Sequence, residues 1–455
     1  MTHYREEQDS MGVVRVPETA YYGAQTQRAA DNFPISGLKM PKEFIRALAM
    51  IKRAAAFVNA ELGLLRTDVS NAIVQAADDV LQGRMDDQFV VDVFQTGSGT
   101  STNMNMNEVL SSRANEIMAG RKGGKSPVHP NDHVNLGQSS NDVIPTTIHI
   151  SAFVGLHERL YPATEGLQAA LADKAEAFRD IRKIGRTHLQ DAVPMTLGDE
   201  FSGYARQIAL VRERFADCEK RLSELALGGT AVGSGLNTHP EFARRVIDQL
   251  NKTTGRTFRE AANHFQAQAS QDTAVELSGN LKSMAVSLIK IANDLRWLSS
   301  GPRCGLGEIN LPSLQPGSSI MPGKVNPVIP EAVIQAAAQV MGNDTAIGLS
   351  GQAGNFELNV MLPVIAYNLL QSIDLMAASA DVLHHKCVEG ITANGDRCAA
   401  NIEQSLALVT GLVPHLGYDK AAAIAHKAYQ SGLTIREVVK KERLLDDATL
   451  DAALR

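Results

Sequence analysis

The sequence has few cysteines and few aromatic residues, and both shortages exclude classes of protein. The four cysteines, Cys218, Cys304, Cys387 and Cys398, are scattered and form no C-x-x-C pair. They predict free thiols in a reducing compartment, without a disulfide framework or a zinc knuckle. Aromatic residues make up only 5% of the 455 residues, whereas alanine, leucine and methionine are frequent, a composition that favours helix over sheet.

The chain also lacks a positive charge excess and a long apolar run. Its formal net charge is −6, which argues against nucleic acid or an anionic membrane surface as a partner. No apolar stretch reaches the length that spans a bilayer. The first nine residues, Met1 to Asp9, are polar and acidic, unlike a secretory signal or a transit peptide. We therefore expect a soluble, cytoplasmic protein.

Heptad spacing of apolar residues dominates the middle of the chain and predicts several long helices. Helices of this length pack as a near-parallel bundle. Alanine and glycine are frequent around each seam, so we expect the bundle to continue into other subunits. The three seams run through Phe201, Tyr204, Ile208, Val211, Phe215, Cys218, Leu222 and Leu225; through Leu277, Leu281, Met284, Leu288, Ile291, Leu295 and Leu298; and through Leu362, Ile365, Leu369, Ile373, Met376 and Leu383.

These patterns predict an all-α fold with three domains: a mainly helical domain over residues 1–138, a central helical bundle over 139–394 and a small helical domain over 395–455. No sustained alternation of period two and no internal repeat is present. Two short extended segments, Val13–Val16 and Phe89–Phe94, could form at most a minor hairpin. Shorter helices are predicted at Lys42–Leu62, Val69–Leu81, Asn401–Val413, Lys420–Ser431 and Thr434–Lys441.

The segment from Gly317 to Asn326 carries the most chemistry in the sequence. Its glycines and Pro322 prevent regular helix, yet it holds two hydroxyls (Ser318 and Ser319), an ammonium and an amide. Such a loop is suited to bring a base or nucleophile and a positive charge onto a small anionic ligand. A nucleotide-binding phosphate loop is a weaker alternative, because five residues instead of four separate its glycines and Val325 follows the lysine.

Two polar clusters in the first part of the chain predict anion recognition. In Gln95–Glu108, small hydroxyl and glycine residues can cap a helix and aim backbone N–H groups at an anion, or can merely start a helix. The second cluster runs from His129 to Asp142. Its two histidines and Asp132 could suggest a metal, but Pro130 breaks the helix that would align them, so its dense neutral donors favour carboxylate recognition.

Two further clusters flank the first predicted long helix. In Gly185–Asp191, His188 lies between a hydroxyl and an acid just before that helix, where it could be a general acid or base or a structural histidine. Gly228–His239 has four glycines in its first eight residues, which fits either a tight turn between packed helices or a ligand-facing segment. No G-x-S-x-G or H-E-x-x-H motif is present, which argues against a hydrolase or a zinc protease.

Together these clusters resemble the fumarase/aspartase superfamily, and within it the class II fumarases. The resemblance extends from Asp9–Gly12 and Gly23–Arg28 to Gly417–Ala422, and Gly317–Asn326 matches the signature loop of that superfamily in order and spacing. It implies reversible hydration of fumarate to L-malate through an aci-carboxylate intermediate, as in the tricarboxylic acid cycle. It also implies a homotetramer on a twenty-helix core, with each active site shared by three subunits. No metal and no organic cofactor would be needed.

The resemblance also implies roles for particular residues. Ser318 would be the base that removes the C3 proton of malate, His188 would exchange a proton at the hydroxyl through a water, and Glu331 would pair with His188. His129, Pro130, Asn131 and Asp132 would form a second anion site. The substrate carboxylates would be held by Ser98, Gly99, Thr100, Ser139, Ser140, Asn141, Thr187, Ser319, Lys324, Val325 and Asn326.

Two other functions remain open from the sequence. An aspartate ammonia-lyase uses the same scaffold, and Val328–Glu331 and Ile391–Asn394 resemble that enzyme. Aspartases usually carry glutamine at the position of His188, however, and Gly354–Val360 looks fumarase-like. The other possibility is a structural member that has lost catalysis, as in the crystallin relatives of argininosuccinate lyase. The intact Ser318 and its partner residues argue against this alternative.

Overall fold

The computed structural model describes residues 3–454, and the all-α prediction is confirmed there. Most of the chain is helical, and the helices are α1 (Ala24–Asn32), α2 (Lys42–Glu61), α3 (Thr67–Leu81), α4 (Thr100–Ala119), α5 (Ser140–Gly155), α6 (Tyr161–Ala177), α7 (Leu197–Leu222), α8 (Phe242–Thr254), α9 (His264–Ala269), α10 (Asp272–Leu298), α11 (Val328–Gly351), α12 (Leu362–Lys386), α13 (Gly395–Gln404), α14 (Val413–Leu416), α15 (Tyr418–Ser431), α16 (Ile435–Glu442) and α17 (Asp447–Ala453).

Strands are short and pair only in twos within the described residues. Between residues 3 and 454, five 3-10 or π turns lie between helices, at Asp86–Gln88, Pro130–Val134, Leu156–Leu160, Val388–Gly390 and Leu406–Leu412. The strands are β1 (Tyr4–Asp9), β2 (Gly12–Pro17), β3 (Arg182–Thr187), β4 (Gln190–Thr196), β5 (Glu224–Leu225), β6 (Arg259–Glu260), β7 (Ile309–Asn310), β8 (Gly354–Asn355), β9 (Leu358–Asn359) and β10 (Thr392–Ala393). Their pairs are β1–β2, β3–β4, β5–β6, β7–β10 and β8–β9, all antiparallel except β5–β6.

The three heptad seams lie on α7, α10 and α12, as the sequence predicted, except that Leu225 of the first seam lies beyond the end of α7, in β5. Every seam residue is at most 4% exposed, so the apolar stripe of each long helix faces the protein interior. Burial of a Leu, Ile or Phe side chain contributes about 1.5–3 kcal/mol each, which is what holds such helices together. The seam of α7 also contains a buried polar group, the hydroxyl of Tyr204. This hydroxyl donates a hydrogen bond to Asp294 of α10 at 3.0 Å.

Some sequence-based expectations were wrong in detail. Val13–Val16 lies in β2, but its partner is β1, whereas Phe89–Phe94 is irregular and forms no named strand. The predicted helix Asn401–Val413 is interrupted after Gln404 and continues as a 3-10 helix, where the Ser405 hydroxyl caps the new turn. The shorter helices α2, α3, α15 and α16 agree with prediction to within two residues.

The chain forms two compact units, each assembled from separate stretches of sequence. One contains the described residues up to Pro162 together with Arg212–Ala285 and Ala337–Ala377, and the other contains Ala163–Val211, Val286–Ala336 and the residues from Ala378 onwards. The boundaries of the three domains proposed above, 1–138, 139–394 and 395–455, remain a prediction. Within residues 3–454, none of the helices is both long enough and apolar enough to cross a membrane.

Candidate active site

The first polar cluster forms the N-terminus of the twenty-residue helix α4. Gly99 precedes the helix with φ +72°, a conformation that L side chains rarely adopt, and a Cβ there would lie 3.0 Å from Ile144 of α5. The hydroxyls of Ser98 and Thr100 are 2.8 Å apart. This turn therefore places two hydroxyls beside the first backbone N–H groups of a helix, where a negative charge is favoured.

The second cluster begins α5 in a similar way. The Ser139 hydroxyl accepts the N–H of Asn141 at 3.2 Å, and the Asp142 carboxylate accepts the N–H of Ser139 at 2.9 Å, which forms a reciprocal capping box. The Ser140 hydroxyl accepts from Asn103 of α4 at 2.9 Å. The structure thus brings the starts of α4 and α5 together, as carboxylate recognition by both clusters requires.

The glycine-rich segment 228–239 is hydrogen-bonded to the start of α5. Backbone N–H groups of Gly228 and Thr230 donate to Asp142 at 3.1 and 3.0 Å, and Asn141 donates to the Ala231 carbonyl at 2.8 Å. Burial raises the pKa of Asp142 to about 6, while the backbone donors act in the opposite direction. The segment is a tight turn, and it also fixes one of the predicted binding residues.

A buried lysine that the sequence analysis missed lies beneath this arrangement. The Lys52 ammonium on α2 donates to Asn135 at 2.8 Å and to Gln138 at 2.9 Å. The Asn135 side chain also accepts from Asn103 at 3.2 Å, which links the lysine to the Ser140 hydroxyl. Burial lowers the pKa of Lys52 to about 7, and the nearby Asp142 carboxylate offsets only part of this effect.

The predicted second anion site is built on a π-turn at Pro130–Val134. His129 caps this turn: its Nδ1 accepts the N–H groups of Asn131 and Asp132, both at 3.2 Å. The neutral ring then carries its proton on Nε2, which can donate to a ligand. The N–H of His129 donates to His133 Nδ1 at 2.9 Å. Both Nδ1 atoms therefore accept hydrogen bonds, and the proton of each neutral ring lies on Nε2. Neither nitrogen then has a free lone pair for a metal, which argues against a metal at this histidine pair.

His188 lies at the tip of the β3–β4 hairpin, which the sequence analysis did not predict. Thr187 pairs with Gln190, so His188 and Leu189 form a two-residue turn with φ of +55° and +59°. Two non-glycine residues in this left-handed region cost about 1 kcal/mol each, and such strain clusters at functional sites. The side chains of Thr187 and His188 are exposed.

A buried charge network anchors this hairpin. Lys183 of β3 is buried and contacts Glu200 at 2.9 Å and Glu308 at 3.6 Å, and Arg186 donates to Glu308 at 2.6 Å. Burial would raise the pKa of Glu200, but the Lys183 ammonium holds it below its usual value. Because Glu308 is fully buried and contacts both cations, loss of either one would remove part of the positive charge that compensates its carboxylate in the interior.

The signature loop is closed at its neck by hydrogen bonds between its two ends. The N–H of Gly317 donates to the Lys324 carbonyl at 2.7 Å, and the Asn326 side chain donates to the Gly317 carbonyl at 2.6 Å. A Cβ at position 317 would lie 2.7 Å from the Lys324 carbonyl oxygen, so only glycine fits the neck. The loop beyond the neck is largely exposed.

Inside the loop, the Ser318 hydroxyl accepts two backbone hydrogen bonds. The N–H groups of Ile320 and Met321 donate to its Oγ at 3.2 and 3.0 Å. Two fixed donors aimed at one hydroxyl oxygen stabilise negative charge on it, in the manner of an oxyanion hole. This arrangement supplies part of what a serine needs to act as a base.

Four of the predicted site residues share one cleft of about 480 Å³. Lys324, Val325, Asn326 and Glu331 line it, together with Arg296 and Trp297 of α10. Across residues 3–454, no hydrogen bond or ion pair joins His188 to Glu331, so the predicted pairing of these two side chains is not formed within one chain. Ser319 is exposed beside Ser318.

The site and the fold define a lyase of the fumarase/aspartase type. A family model described as Lyase matches residues 12–342, and one described as Fumarase C C-terminus matches residues 408–455. A class II fumarate hydratase of Nitrosomonas europaea is 57% identical over 96% of this chain and 95% of its own length. A class II fumarate hydratase of Yersinia pestis is 52% identical over 100% of this chain and 98% of its own length.

Solved structures agree with these sequence relatives. A class II fumarase of Schistosoma mansoni has a TM-score of 0.97 and 40% identity, covering 100% of this chain and 98% of that one. A fumarate lyase:delta crystallin of Brucella melitensis bound to cobalt has a TM-score of 0.95 and 45% identity. The match covers 99% of this chain and 98% of that one. The chain belongs to the class II fumarate hydratase family, a group of hydro-lyases. These relatives favour hydration over the aspartase alternative.

Proposed function

We propose that the chain catalyses the reversible hydration of fumarate to L-malate with Ser318 as the base. In the direction of dehydration, the Ser318 alkoxide takes the C3 proton of malate and the electron pair moves into the adjacent carboxylate. The resulting aci-carboxylate then expels the C2 hydroxyl, which leaves as water after receiving a proton by way of His188. The paired hydrogen bonds from Ile320 and Met321 to Ser318 Oγ are the observation that carries this assignment.

The residues assigned to carboxylate binding suit a dianionic intermediate. A second negative charge must build on one carboxylate as the C3 proton leaves, and fixed donors together with Lys324 stabilise it. The starts of α4 and α5 supply N–H groups and the hydroxyls of Ser98, Thr100 and Ser139, none of which must reorganise during the reaction. His129 with its Nε2 proton is assigned to a second anion site, as the family resemblance implies.

We also infer that the active site is completed by assembly into a homotetramer, with each site shared by three subunits. His188 and Glu331 do not touch within one chain, which supports a pairing between copies. Helix α11 also presents an uncharged, exposed strip with heptad-like spacing that a second copy of this chain would cover. The strip consists of Ala338, Met341, Gly342, Thr345 and Leu349. Light scattering should give about four times the 48.9 kDa of one chain, and a fully active monomer would refute the proposal.

The base assignment is tested by Ser318→Ala with Ser313→Ala as the matched control. Ser313 is exposed and Ser318 is half-buried, and both lie in the irregular segment before α11, so neither substitution removes much buried area. A proton-abstracting group acts mainly in the transition state, so Ser318→Ala should lower kcat at least about a hundredfold with little change in KM. Ser313→Ala should stay within about twofold. Near-normal kcat in an intact Ser318→Ala tetramer would make the loop a binding lid and His188 the first candidate for the base.

The proposed setting is the cytoplasm. The free thiols of the four cysteines support this placement. Cell fractionation with an antibody against the chain tests it, and recovery in the membrane or an exported fraction would refute it.

A further inference from the structure

A cluster of potential metal ligands lies where α12 ends, away in sequence from every residue assigned to catalysis. His384 and His385 close the helix, and Glu389 follows in the short 3-10 helix Val388–Gly390. One ligand atom from each of the three side chains lies within 4.8 Å of the other two. His384 Nε2 and His385 Nδ1 are 3.2 and 3.3 Å from the same oxygen, Oε1 of Glu389.

The two nitrogen–oxygen distances match two edges of a tetrahedral metal site. With metal–nitrogen and metal–oxygen bonds of about 2.0–2.2 Å, adjacent ligand atoms of a tetrahedral Zn²⁺ site lie about 3.3–3.5 Å apart. Two imidazoles and one carboxylate form a common three-ligand set for this ion, with a water in the fourth position. The rings of His384 and His385 are stacked with centroids 3.9 Å apart and an interplanar angle of 26°, so one ring has to rotate before both nitrogen lone pairs point at a single ion.

Neighbouring residues orient both rings. The Asp381 carboxylate, one turn earlier on α12, faces His385 Nε2 at 3.5 Å, which leaves Nδ1 for a metal. A carboxylate behind a ligating histidine is a typical outer partner of metal sites, because it fixes the tautomer and raises the basicity of the ligand. Gly166 of α6 makes room for the other ring, since a Cβ there would lie 2.8 Å from His384 Nδ1.

We propose that His384, His385 and Glu389 form a binding site for a divalent transition-metal ion of the Zn²⁺ class, which fastens the end of α12 to the turn that follows. The competing explanation is a set of surface ion pairs between protonated histidines and Glu389. The two explanations differ in ion stoichiometry and in the effect of Asp381, which can influence metal affinity without being a ligand.

The test is Zn²⁺ titration of the assembled, chelator-treated protein by calorimetry, near neutral pH. We expect about one ion per chain, and at least about tenfold weaker binding after His385→Gln or Glu389→Gln. His426→Gln is the matched control, because His426 is also an exposed helical histidine with one side-chain partner, Gln430. The control should leave affinity unchanged.

Asp381→Asn should weaken Zn²⁺ binding about tenfold while it preserves the stoichiometry. Co²⁺ substitution adds an independent readout, because the intensity of its visible bands distinguishes four-coordinate from six-coordinate sites. A four-coordinate spectrum that disappears in His385→Gln would support the proposal. Equal affinity in the wild type, His385→Gln and the control variant, or a six-coordinate spectrum, would overturn it.

Discussion

Replacement of Lys52 by methionine tests the buried network beneath the carboxylate-binding residues. Methionine keeps the length of the side chain but removes the donor to Asn135 and Gln138 and the positive charge near Asp142. Asn135 still accepts from Asn103 and Asn107, so the Gln138 oxygen is the acceptor that loses its lysine donor. A buried acceptor left without a donor costs about 1–3 kcal/mol, and relief from burying the ammonium offsets part of this loss. We expect the free energy of unfolding to fall by roughly 2 kcal/mol at pH 7.

The way in which this loss of unfolding free energy changes with pH is the more specific prediction. Burial lowers the pKa of Lys52 from 10.5 to about 7, so between those values the unfolded chain holds a proton that the folded chain has released. The wild type therefore gains stability as the pH rises through this window, at about 1.4 kcal/mol per pH unit, and the variant does not. The destabilisation caused by Lys52→Met should grow by about 2–3 kcal/mol between pH 7 and pH 9.

The measurement is urea unfolding followed by circular dichroism at fixed protein concentration, at pH 7, 8 and 9. Lys42→Met on the same helix is the control, because Lys42 is mostly exposed and its ion pair with Asp86 is at the surface. The control should change stability by at most about 1 kcal/mol, with no added pH dependence. A Lys52→Met effect that stays constant or shrinks from pH 7 to pH 9 would refute the reasoning.

Two further predictions concern backbone fit and catalysis. Gly97→Ala should destabilise the protein by about 3 kcal/mol or more, because a Cβ at position 97 would lie 1.8 Å from the Val360 carbonyl oxygen. Gly395→Ala, which meets nothing within 4 Å, should stay within about 0.5 kcal/mol by the same urea assay, and equal effects would contradict this account. His188→Asn should lower kcat at least about a hundredfold, yet less than Ser318→Ala, since water can partly replace a proton carrier. The reverse order in steady-state kinetics would reassign the base.

The sequence predicted the long helices because their apolar residues repeat with heptad spacing. This spacing places them on one face of the helix, and packing against neighbouring helices buries that face. Helix α11 was not singled out, because small residues such as Ala338 and Gly342 interrupt its apolar pattern. The β3–β4 hairpin was missed for a different reason. Its turn residues, His188 and Leu189, are not the asparagine and glycine that usually adopt left-handed turns, and Pro194 weakens the strand pattern.

The residues of the candidate site were easier to propose from the sequence than the contacts that support them. Ser318, Ser139 and Thr100 lie in polar segments that interrupt the helical pattern, so their residue types reveal them. Lys52 lies within the apolar stripe of α2, four residues after the buried Leu48. A lysine at such a position indicates a buried charge that needs partners, so the sequence did contain a signal for it. The partners of such a lysine come from distant segments, and one chain cannot reveal contacts that we assign to neighbouring subunits.

The central claim is that this chain adds water to fumarate, and one assay tests it most directly. The assembled protein, treated extensively with chelator, is given fumarate with and without ammonia, and the products are separated and measured. The account predicts loss of fumarate absorbance with formation of L-malate in both cases, and a collapse of this activity in Ser318→Ala. Formation of aspartate with ammonia, and no malate in either case, would contradict it.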